Sequence, residues 1–184
     1  MAAFLSSKRS LMTYELPFNA SYRARALGAS AISQATRSFH VADGLRAVWP
    51  GAIAAGPAYP VECAPGDNLA LHLAVERAPA GSVLVVATSE APFGYWDELL
   101  TAAAQATKIA GVVLEGCVRD TAAITRRGFP VFCRGSCLRA AVLRKAKTVG
   151  ADILLTGIPV AVGDFVVADD DGVVIVASAD VAIT

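Results

Sequence analysis

The sequence predicts a layered α/β domain, and three observations support this fold class. In the middle of the chain, segments with helical character alternate with apolar runs of strand length. Two of these runs, residues 82–87 and 109–114, are apolar almost throughout and bounded by turn residues, which is typical of strands buried on both faces. Mostly β segments flank this alternation, and the combination indicates an α/β domain built in layers.

Length and composition favour a single domain with a substantial core. The chain has 184 residues, of which 55% are hydrophobic and 17% charged, so it is not a disordered sequence. We expect one domain over residues 19–184, preceded by a loosely held N-terminal arm at residues 1–18. Sixteen basic residues balance sixteen acidic ones, which gives no overall attraction to nucleic acid or to an anionic membrane. Because the chain has few charged residues relative to its hydrophobic ones, some hydrophobic side chains should remain on the surface of the monomer. We expect this apolar surface to be buried between subunits.

The sequence predicts neither a membrane span nor a secretion signal. Apolar runs such as residues 83–87 and 173–177 are much shorter than the roughly 20 residues that cross a bilayer. Residues 1–12 carry Lys8 and Arg9 but no apolar stretch after them, unlike a signal peptide. The four cysteines form no CxxC pair, which favours reduced thiols in a cytoplasmic protein over a zinc site; they are Cys63, Cys117, Cys133 and Cys137.

The first third of the domain predicts a broken helix followed by strands. Residues 19–36 are rich in Ala and Ser and have helical character, but Gly28 interrupts them, so one or two short helices are expected. Residues 51–57 and 58–63 are expected to be strand segments. Within the second of them, Pro60 indicates an edge position or a bulge.

The central segments predict two helices and the buried strands already described. A turn at residues 64–68 leads into a helix over residues 69–77, which Asp67 or Asn68 can cap. Asp97 begins a second helix over residues 98–107. The spacing of its apolar side chains predicts one buried stripe, made by Leu99, Leu100, Ala103 and Ala106.

The last third of the chain is predicted to be largely β. A short helix near residues 121–126 comes first, and strands are then expected at residues 129–133, 153–155, 158–162, 165–168 and 173–177. The run Asp169-Asp170-Asp171-Gly172 predicts a tight hairpin turn and lacks the spacing and closing Glu of a calcium loop. A basic stretch is expected to be a solvated face; it contains Arg139, Arg144, Lys145 and Lys147.

The segment from residue 94 to residue 120 contains the best candidate site. A helix start at Asp97 offers backbone N–H groups and a positive dipole end, which suit a carboxylate. Arg119 adds a bidentate donor for the same kind of group, and Asp120 could hold a divalent cation. Together they predict a site for a small oxo acid that chelates a metal. The alternative is a surface Arg–Asp ion pair beside an ordinary helix cap.

Several stretches resemble one family, which contains the regulator of ribonuclease E activity A (RraA) and the 4-hydroxy-4-methyl-2-oxoglutarate aldolases. They occur in one order between about residue 40 and residue 177: WPG and GPA at residues 49–58, PGDNLALH at 65–72, WDELL at 96–100, AGVV at 110–113, GCVRD at 116–120, VGD at 162–164 and ADDDGVV at 168–174. The resemblance implies a swivelling β/β/α layered fold, assembly as a homotrimer or a hexamer, and metal-dependent lyase activity on 2-oxo acids.

The resemblance also implies roles for individual residues. Arg119 corresponds to the arginine that binds the oxo-acid end of the substrate, and Asp120 to the aspartate that holds Mg²⁺ or another divalent cation such as Mn²⁺. Glu98 corresponds to an acidic position that orients water or the metal. The backbone amides of Leu99 and Leu100 correspond to those that receive the pyruvate carboxylate.

The chain departs from the family pattern at several of these places. Asp97 stands where the family enzymes usually have Gly, which adds a side chain and a negative charge where an anion should bind. Ala123 stands where the family signature continues with an acid. The first helix offers Arg23 and Arg25 instead of an acid, and the sequence ends at Thr184, without the helical tail of the family aldolases.

Three functions therefore remain open. The first is a lyase that cleaves or decarboxylates a small 2-oxo acid, either a pyruvate aldolase or an oxaloacetate decarboxylase. The second is a divergent family member with altered chemistry in a specialised biosynthetic pathway, and the third is a non-enzymatic regulator that binds a protein. The two histidines favour none of these, since His72 is expected to be a packed or surface residue of a helix and His40 lies in a segment without a predicted element.

Overall fold

The computed structural model describes residues 18–181, so the predicted N-terminal arm lies almost wholly outside the described residues. Within them, four α-helices occur: α1 (Phe18–Ala35), α2 (Leu69–Arg77), α3 (Glu98–Ala106) and α4 (Thr121–Arg127). The same part of the chain forms twelve strands: β1 (His40–Val41), β2 (Arg46–Ala47), β3 (Ala54–Cys63), β4 (Val83–Ala87), β5 (Gly94–Trp96), β6 (Gly111–Val118), β7 (Val131–Ser136), β8 (Ala146–Val149), β9 (Ile153–Leu155), β10 (Ile158–Val160), β11 (Phe165–Asp169) and β12 (Gly172–Val176).

Ten of these strands form one mixed sheet, in the order β1-β12-β11-β3-β4-β6-β7-β2, with β5 beside β6 and β8 beside β3. The strands β3, β4, β6 and β7 run parallel, whereas β11 pairs with β3 and with β12 in antiparallel fashion. The remaining strands, β9 and β10, form a separate two-stranded sheet. The alternation of helices and strands in the middle of the sequence therefore corresponds to the parallel part of the sheet.

The core lies on both faces of the central strands, which gives the β/β/α layering. In β4, Leu84 and Val86 face a cluster that includes apolar side chains of α2, α3 and α4. Val83 and Val85 face the opposite cluster, to which β9, β10, β11 and β12 contribute. A strand buried on both faces has no room for polar side chains, which explains why residues 82–87 are apolar almost throughout. The predicted α/β fold class is confirmed.

The predicted interruption of the first helix at Gly28 is confirmed. Gly28 has φ 80° and ψ 169°, which a residue with a Cβ rarely adopts, and it kinks α1. The backbone N–H of Ala29 donates to the carboxylate of Asp169 at 2.7 Å. Asp169 belongs to the predicted hairpin turn between β11 and β12, where it pairs with Gly172. The acidic turn thus caps the second half of α1, whose apolar side chains pack on β11 and β12.

Pro60 lies inside the sheet, so the expectation of an edge position is wrong. In β3, Pro60 is level with Val85 of β4. The N–H and C=O of Ala58 both bond residues at the start of β11, Asp164 and Gly163. Two residues further on, the carbonyl of Pro60 accepts from Gly150 beside β8. The proline therefore lies where the neighbour of β3 changes from β11 to β8, a place where a missing N–H breaks no regular ladder.

The helix α3 begins as predicted, but its buried stripe differs from the expected one. The buried residues are Leu100, Thr101 and Ala104, whereas Leu99 is 78% exposed. Ala103 and Ala106, the other predicted members of the stripe, are also exposed. Thr101 is buried because its hydroxyl accepts from the indole N–H of Trp96 at 2.8 Å and donates to the carbonyl of Asp97. The buried face of α3 therefore includes the polar residue Thr101 and excludes Leu99.

Other predicted features lie where they were expected. The bounds of α2 are those predicted, and His72 is exposed on this helix, while His40 is exposed in β1. The basic stretch is a solvated face, with Lys147 paired to Glu62 and Arg139 over the ring of Phe93. No helix within residues 18–181 is long and apolar enough to cross a membrane.

Candidate active site

The candidate site lies at the carboxyl ends of the parallel strands β5 and β6, together with the end of β7. The backbone N–H of Arg119 donates to the carbonyl of Trp96 at 2.8 Å, which joins the ends of β5 and β6. The N–H of Cys137 donates to the carbonyl of Val118 at 3.0 Å and joins the end of β7. Between these ends lies a cavity of about 200 Å³, lined by Val118, Arg119, Asp120, Thr121, Ser136, Cys137 and Leu138. Ligands of α/β sheets bind at this edge.

Arg119 projects from the end of β6 as a half-buried side chain. A Cβ added to Gly94 would lie 2.2 Å from its Cγ, so the aliphatic stem of Arg119 packs directly on the backbone of β5. Among residues 18–181, the Arg119 guanidinium forms no ion pair, although Asp120 is its neighbour in sequence. The alternative of a simple Arg–Asp surface pair is therefore not what the structure contains.

Asp120 has a left-handed backbone conformation, with φ 55° and ψ 36°. Its carbonyl accepts from the N–H groups of Ala123 and Ile124, which starts α4, but its side chain does not cap this helix. Instead, Oδ2 lies 3.5 Å from the backbone N of Glu98 at the start of α3. A residue with a Cβ in this conformation is strained, and such strain is concentrated at functional sites. The unusual backbone directs the carboxylate towards α3.

The start of α3 is occupied by a side chain of the helix itself. Oδ1 of Asp97 accepts from the backbone N–H of Leu100 at 3.0 Å, as expected of a helix cap. The Leu100 amide, which the family resemblance assigns to a substrate carboxylate, is therefore engaged by a carboxylate of the chain. The side chain of Leu99 points to solvent. Ala123, at the position where the family has an acid, is buried in α4.

Glu98 forms an ion pair that sequence reasoning did not predict. Its Oε1 lies 3.2 Å from a guanidinium nitrogen of Arg127, at the end of α4. The Arg127 and Glu98 side chains are 36% and 45% exposed, so the pair adds little stability, but it holds the Glu98 carboxylate towards α4. The two residues are 29 positions apart, and no local pattern links them.

The residues of the site are compatible with Mg²⁺ that is held by one carboxylate and several waters. No group of three or more His, Cys, Asp or Glu side chains within residues 18–181 could enclose a metal ion. Asp120, however, has an exposed carboxylate whose one recorded contact is the long one to Glu98. Mg²⁺ commonly keeps several waters and takes one or two carboxylates from the protein. A single exposed carboxylate beside a cavity suits this mode of binding.

Asp67, a buried residue in the turn before α2, holds the segment that follows β7. Its carboxylate accepts from the backbone N–H groups of Arg144 and Lys145 at 2.9 and 2.8 Å, and also from that of Leu69. Burial raises the pKa of Asp67, but the three N–H donors and the Arg144 charge lower it more, so the pKa lies below its ordinary value. The carboxylate therefore fastens the segment that follows β7.

We expect replacement of Asp67 by alanine to lower the free energy of unfolding by about 2 kcal/mol, because three backbone donors lose a charged acceptor. Since the folded-state pKa is lowered, the carboxylate stabilises the fold above its ordinary pKa and loses this effect as the pH falls through the lowered value. Urea unfolding should therefore show a difference between wild type and variant that shrinks from about pH 7 to about pH 2. Asp43→Ala, an exposed aspartate, is the control. A difference that grows on acidification would contradict this role.

The four cysteines are free thiols in the structure. Burial raises the pKa of Cys63 to about 12 and that of Cys133 to about 11, so both are protonated at neutral pH. Cys117 and Cys137 are half-buried, and the thiol of Cys137 donates to the carbonyl of Pro92 at 3.1 Å. Only Cys137 among them lines the cavity beside Arg119.

A second cavity, of about 310 Å³, lies beside the acidic hairpin turn, between residues 51–53 and 169–171. Two of its three carboxylates are engaged in the fold: Asp170 accepts from the N–H of Gly51, and Asp169 from those of Ala29 and Asp171. This cavity has no cationic side chain in its lining. Of these two cavities, only the one beside Arg119 has a cationic side chain in its lining.

The fold and the site define a β/β/α domain with an arginine and an exposed aspartate at the edge of its parallel strands. The RraA-like family, described as Aldolase/RraA, matches residues 29–175, and the chain belongs to this family. Its resemblance to that family, noted from the sequence motifs, is thereby confirmed.

Individual relatives carry different names. A Halalkalibacterium halodurans protein named "Putative 4-hydroxy-4-methyl-2-oxoglutarate aldolase" is 34% identical over 122 residues, which cover 66% of this chain and 58% of that protein. The match thus spans little more than half the length of this relative. The Streptomyces coelicolor RraAS2 structure, an unusual member of the RNase ES inhibitor RraA family, superimposes with a TM-score of 0.75 at 24% identity, covering 89% and 86% of the chains. The Thermus thermophilis RNA-processing inhibitor RraA gives a TM-score of 0.73 at 21% identity, covering 80% and 90%.

Proposed function

We propose that the protein is a metal-dependent carbon–carbon lyase that cleaves or decarboxylates a small 2-oxo acid in the cavity beside Arg119. The observation that carries this proposal is that Arg119 and Asp120 lie together at the cavity without ion-pair partners. They are adjacent, both border the cavity, and neither forms an ion pair within residues 18–181. An arginine at the edge of a cavity that has no carboxylate partner is available to bind a carboxylate of a ligand.

Each residue has a distinct task in this reaction. The guanidinium of Arg119 binds the carboxylate of the substrate and stabilises the negative charge that develops on the oxo oxygen. Asp120 would hold Mg²⁺, which as a Lewis acid polarises the oxo group when bound. Glu98, whose backbone N–H faces Asp120, would orient a water or the metal, as the family resemblance implies. The ion pair with Arg127 directs that carboxylate to one side.

The protein's assembly and location are part of the same proposal. Leu138, which lines the cavity, is 94% exposed, and Leu143 in the same segment is 57% exposed. Apolar side chains of this size at the rim of a site are typical of a subunit contact. We propose a homotrimer or a hexamer, the assembly that the family resemblance implies. The four free thiols favour a reducing compartment, the cytoplasm.

The test is release of pyruvate from 4-hydroxy-2-oxo acids and from oxaloacetate, measured by coupling to lactate dehydrogenase. We expect release in the presence of Mg²⁺, its loss after treatment with EDTA, and its return when Mg²⁺ or Mn²⁺ is restored. Thermal unfolding with and without EDTA shows whether the chelator acts on the fold. Folded protein that releases no pyruvate from any of these substrates at high concentration would overturn the lyase proposal.

A second candidate is a family member with altered chemistry in a specialised pathway. The specific observation in its favour is the start of α3, where Asp97 occupies the Leu100 amide and Ala123 is buried in place of an acid. Such a protein would bind an oxo acid and Mg²⁺ at Arg119 and Asp120 without releasing pyruvate. Calorimetric titration with pyruvate, with and without Mg²⁺, separates this candidate from a regulator that has no small-molecule site.

A further inference from the structure

We infer that Arg127 is a positioning residue, which competes with the metal site at Asp120 for the carboxylate of Glu98. This inference rests on the proposed function, because it concerns the cation that Asp120 would hold. Mg²⁺ takes one or two carboxylates from a protein, and Asp120 supplies one. A second carboxylate close to Asp120 would therefore strengthen the site, and the start of α3 contains the candidate.

Glu98 is the acid at the start of α3 that is free of the helix cap and adjoins Asp120. Its backbone N lies 3.5 Å from Oδ2 of Asp120. Asp97, the residue before it, is engaged elsewhere, since its Oδ1 accepts from the Leu100 N–H at 3.0 Å and caps the helix. The attachment point of the Glu98 side chain is thus fixed beside Asp120, and its rotamer decides where the carboxylate lies.

In the structure, Arg127 determines where this carboxylate lies. Nε and Nη2 of Arg127 donate to Oε1 of Glu98 at 3.3 and 3.2 Å. Arg127 is the last residue of α4, whereas Asp120 precedes the first, and the seven residues of this helix correspond to about 10 Å along its axis. Neither Glu98 nor Arg127 belongs to the residues that line the cavity. The ion pair therefore holds the Glu98 carboxylate on Arg127 and outside the cavity.

Arg127 is itself fastened to α3 at two points. Its guanidinium pairs with Glu98, and its backbone carbonyl accepts from Nε2 of Gln105 at 3.0 Å. The ion pair is partly exposed, so its contribution to stability is small. An interaction of this strength shifts the balance between two positions of Glu98 without locking either of them, and a cation at Asp120 would compete with it.

The experiment measures Mn²⁺ binding to the full chain through the EPR signal of the free ion, which requires neither substrate nor catalysis. Arg127→Gln removes the charge that holds Glu98. We expect this variant to bind Mn²⁺ about two- to fivefold more tightly than wild type, the range that a partly exposed ion pair supports. Arg127→Lys keeps a cation for Glu98, so its affinity should remain close to that of wild type.

The matched control is Arg126→Gln. Arg126 is an exposed arginine of the same helix and forms no ion pair within residues 18–181, so its replacement reports the general effect of removing one positive charge. A double-mutant cycle with Glu98→Gln shows whether the gain depends on Glu98. In the Glu98→Gln background, Arg127→Gln should change Mn²⁺ affinity no more than Arg126→Gln does.

The outcomes separate this inference from the proposed function. Equal Mn²⁺ affinities of wild type and Arg127→Gln, an equal gain in Arg126→Gln, or the same gain with and without Glu98 would overturn the inference, whereas the proposed metal site stands. If wild type and Arg127→Gln bind Mn²⁺ no more tightly than Asp120→Asn, the inference and the proposed metal at Asp120 are both overturned. Arg127→Met, a second uncharged replacement, keeps the test valid if thermal unfolding shows that Arg127→Gln does not fold.

Discussion

Replacing Arg119 with alanine is expected to lower kcat/KM of the proposed lyase at least about 100-fold, because it removes the cation that both binds the carboxylate and stabilises the developing charge. The fold should survive, since the guanidinium forms no ion pair within residues 18–181. The measurement is pyruvate release at saturating Mg²⁺, with thermal unfolding recorded in parallel. Arg119→Lys keeps the charge but not the bidentate fork, and it should recover only part of the rate.

The matched control for this change is Arg126→Ala. Arg126 is an exposed arginine of α4, seven residues further along the chain, and it does not line the cavity. Its removal changes the net charge by the same amount, so a general electrostatic effect would appear in both variants. Full activity of folded Arg119→Ala protein would show that the reaction takes place elsewhere.

Features of the fold that arise from neighbouring residues could be predicted from the sequence. The kink at Gly28 follows from its conformational freedom, and the turn at Asp169–Gly172 from residues that tolerate a tight hairpin. The central strands were recognisable because burial on both faces leaves a continuous apolar run. Pro60 shows the limit of this reasoning. The proline rule refers to the neighbouring strands, and only the assembled sheet shows that the first residue of β11 and the last residue of β8 lie on either side of Pro60 along β3.

The candidate site, like the fold, was predictable only where its features depend on residues that are neighbours in sequence. Arg119 and Asp120 are adjacent and follow a buried strand, so their place at the sheet edge could be inferred. The exposure of Leu99 could not be predicted. It arises because Thr101, a polar residue, faces inward and its hydroxyl accepts a hydrogen bond from the indole of Trp96. The partners of Glu98 and Asp67 lie 29 and 77 residues away in sequence, and tertiary structure alone brings them together.

The dependence of Arg119 on Gly94 is another such long-range relation, and it leads to the second large effect. A Cβ at Gly94 would lie 2.2 Å from Cγ of Arg119 and 2.6 Å from the carbonyl oxygen of Cys137. Gly94 has no positive φ, so the penalty for a side chain there is steric. Gly94→Ala should lower the free energy of unfolding by about 1–3 kcal/mol. It should also displace the Arg119 side chain, which lowers kcat/KM by more than about tenfold for the folded fraction.

Two further variants separate loss of stability from displacement of Arg119. In Gly56→Ala the new Cβ would lie 2.3 Å from the carbonyl oxygen of Gly81, so this control should be destabilised similarly while its folded fraction keeps full activity. Combining Gly94→Ala with Arg119→Ala removes the Cγ and Cδ contacts, and the stability cost of Gly94→Ala should therefore be smaller in that background. Wild type, Gly94→Ala, Arg119→Ala and the double variant form a double-mutant cycle. Urea unfolding of these four proteins measures the coupling free energy between positions 94 and 119. An equal cost in both backgrounds, together with unchanged activity in Gly94→Ala, would show that Gly94 does not position Arg119. A smaller cost in the Arg119→Ala background, together with lost activity in the single variant, would identify Gly94 as the residue that places the guanidinium in the cavity.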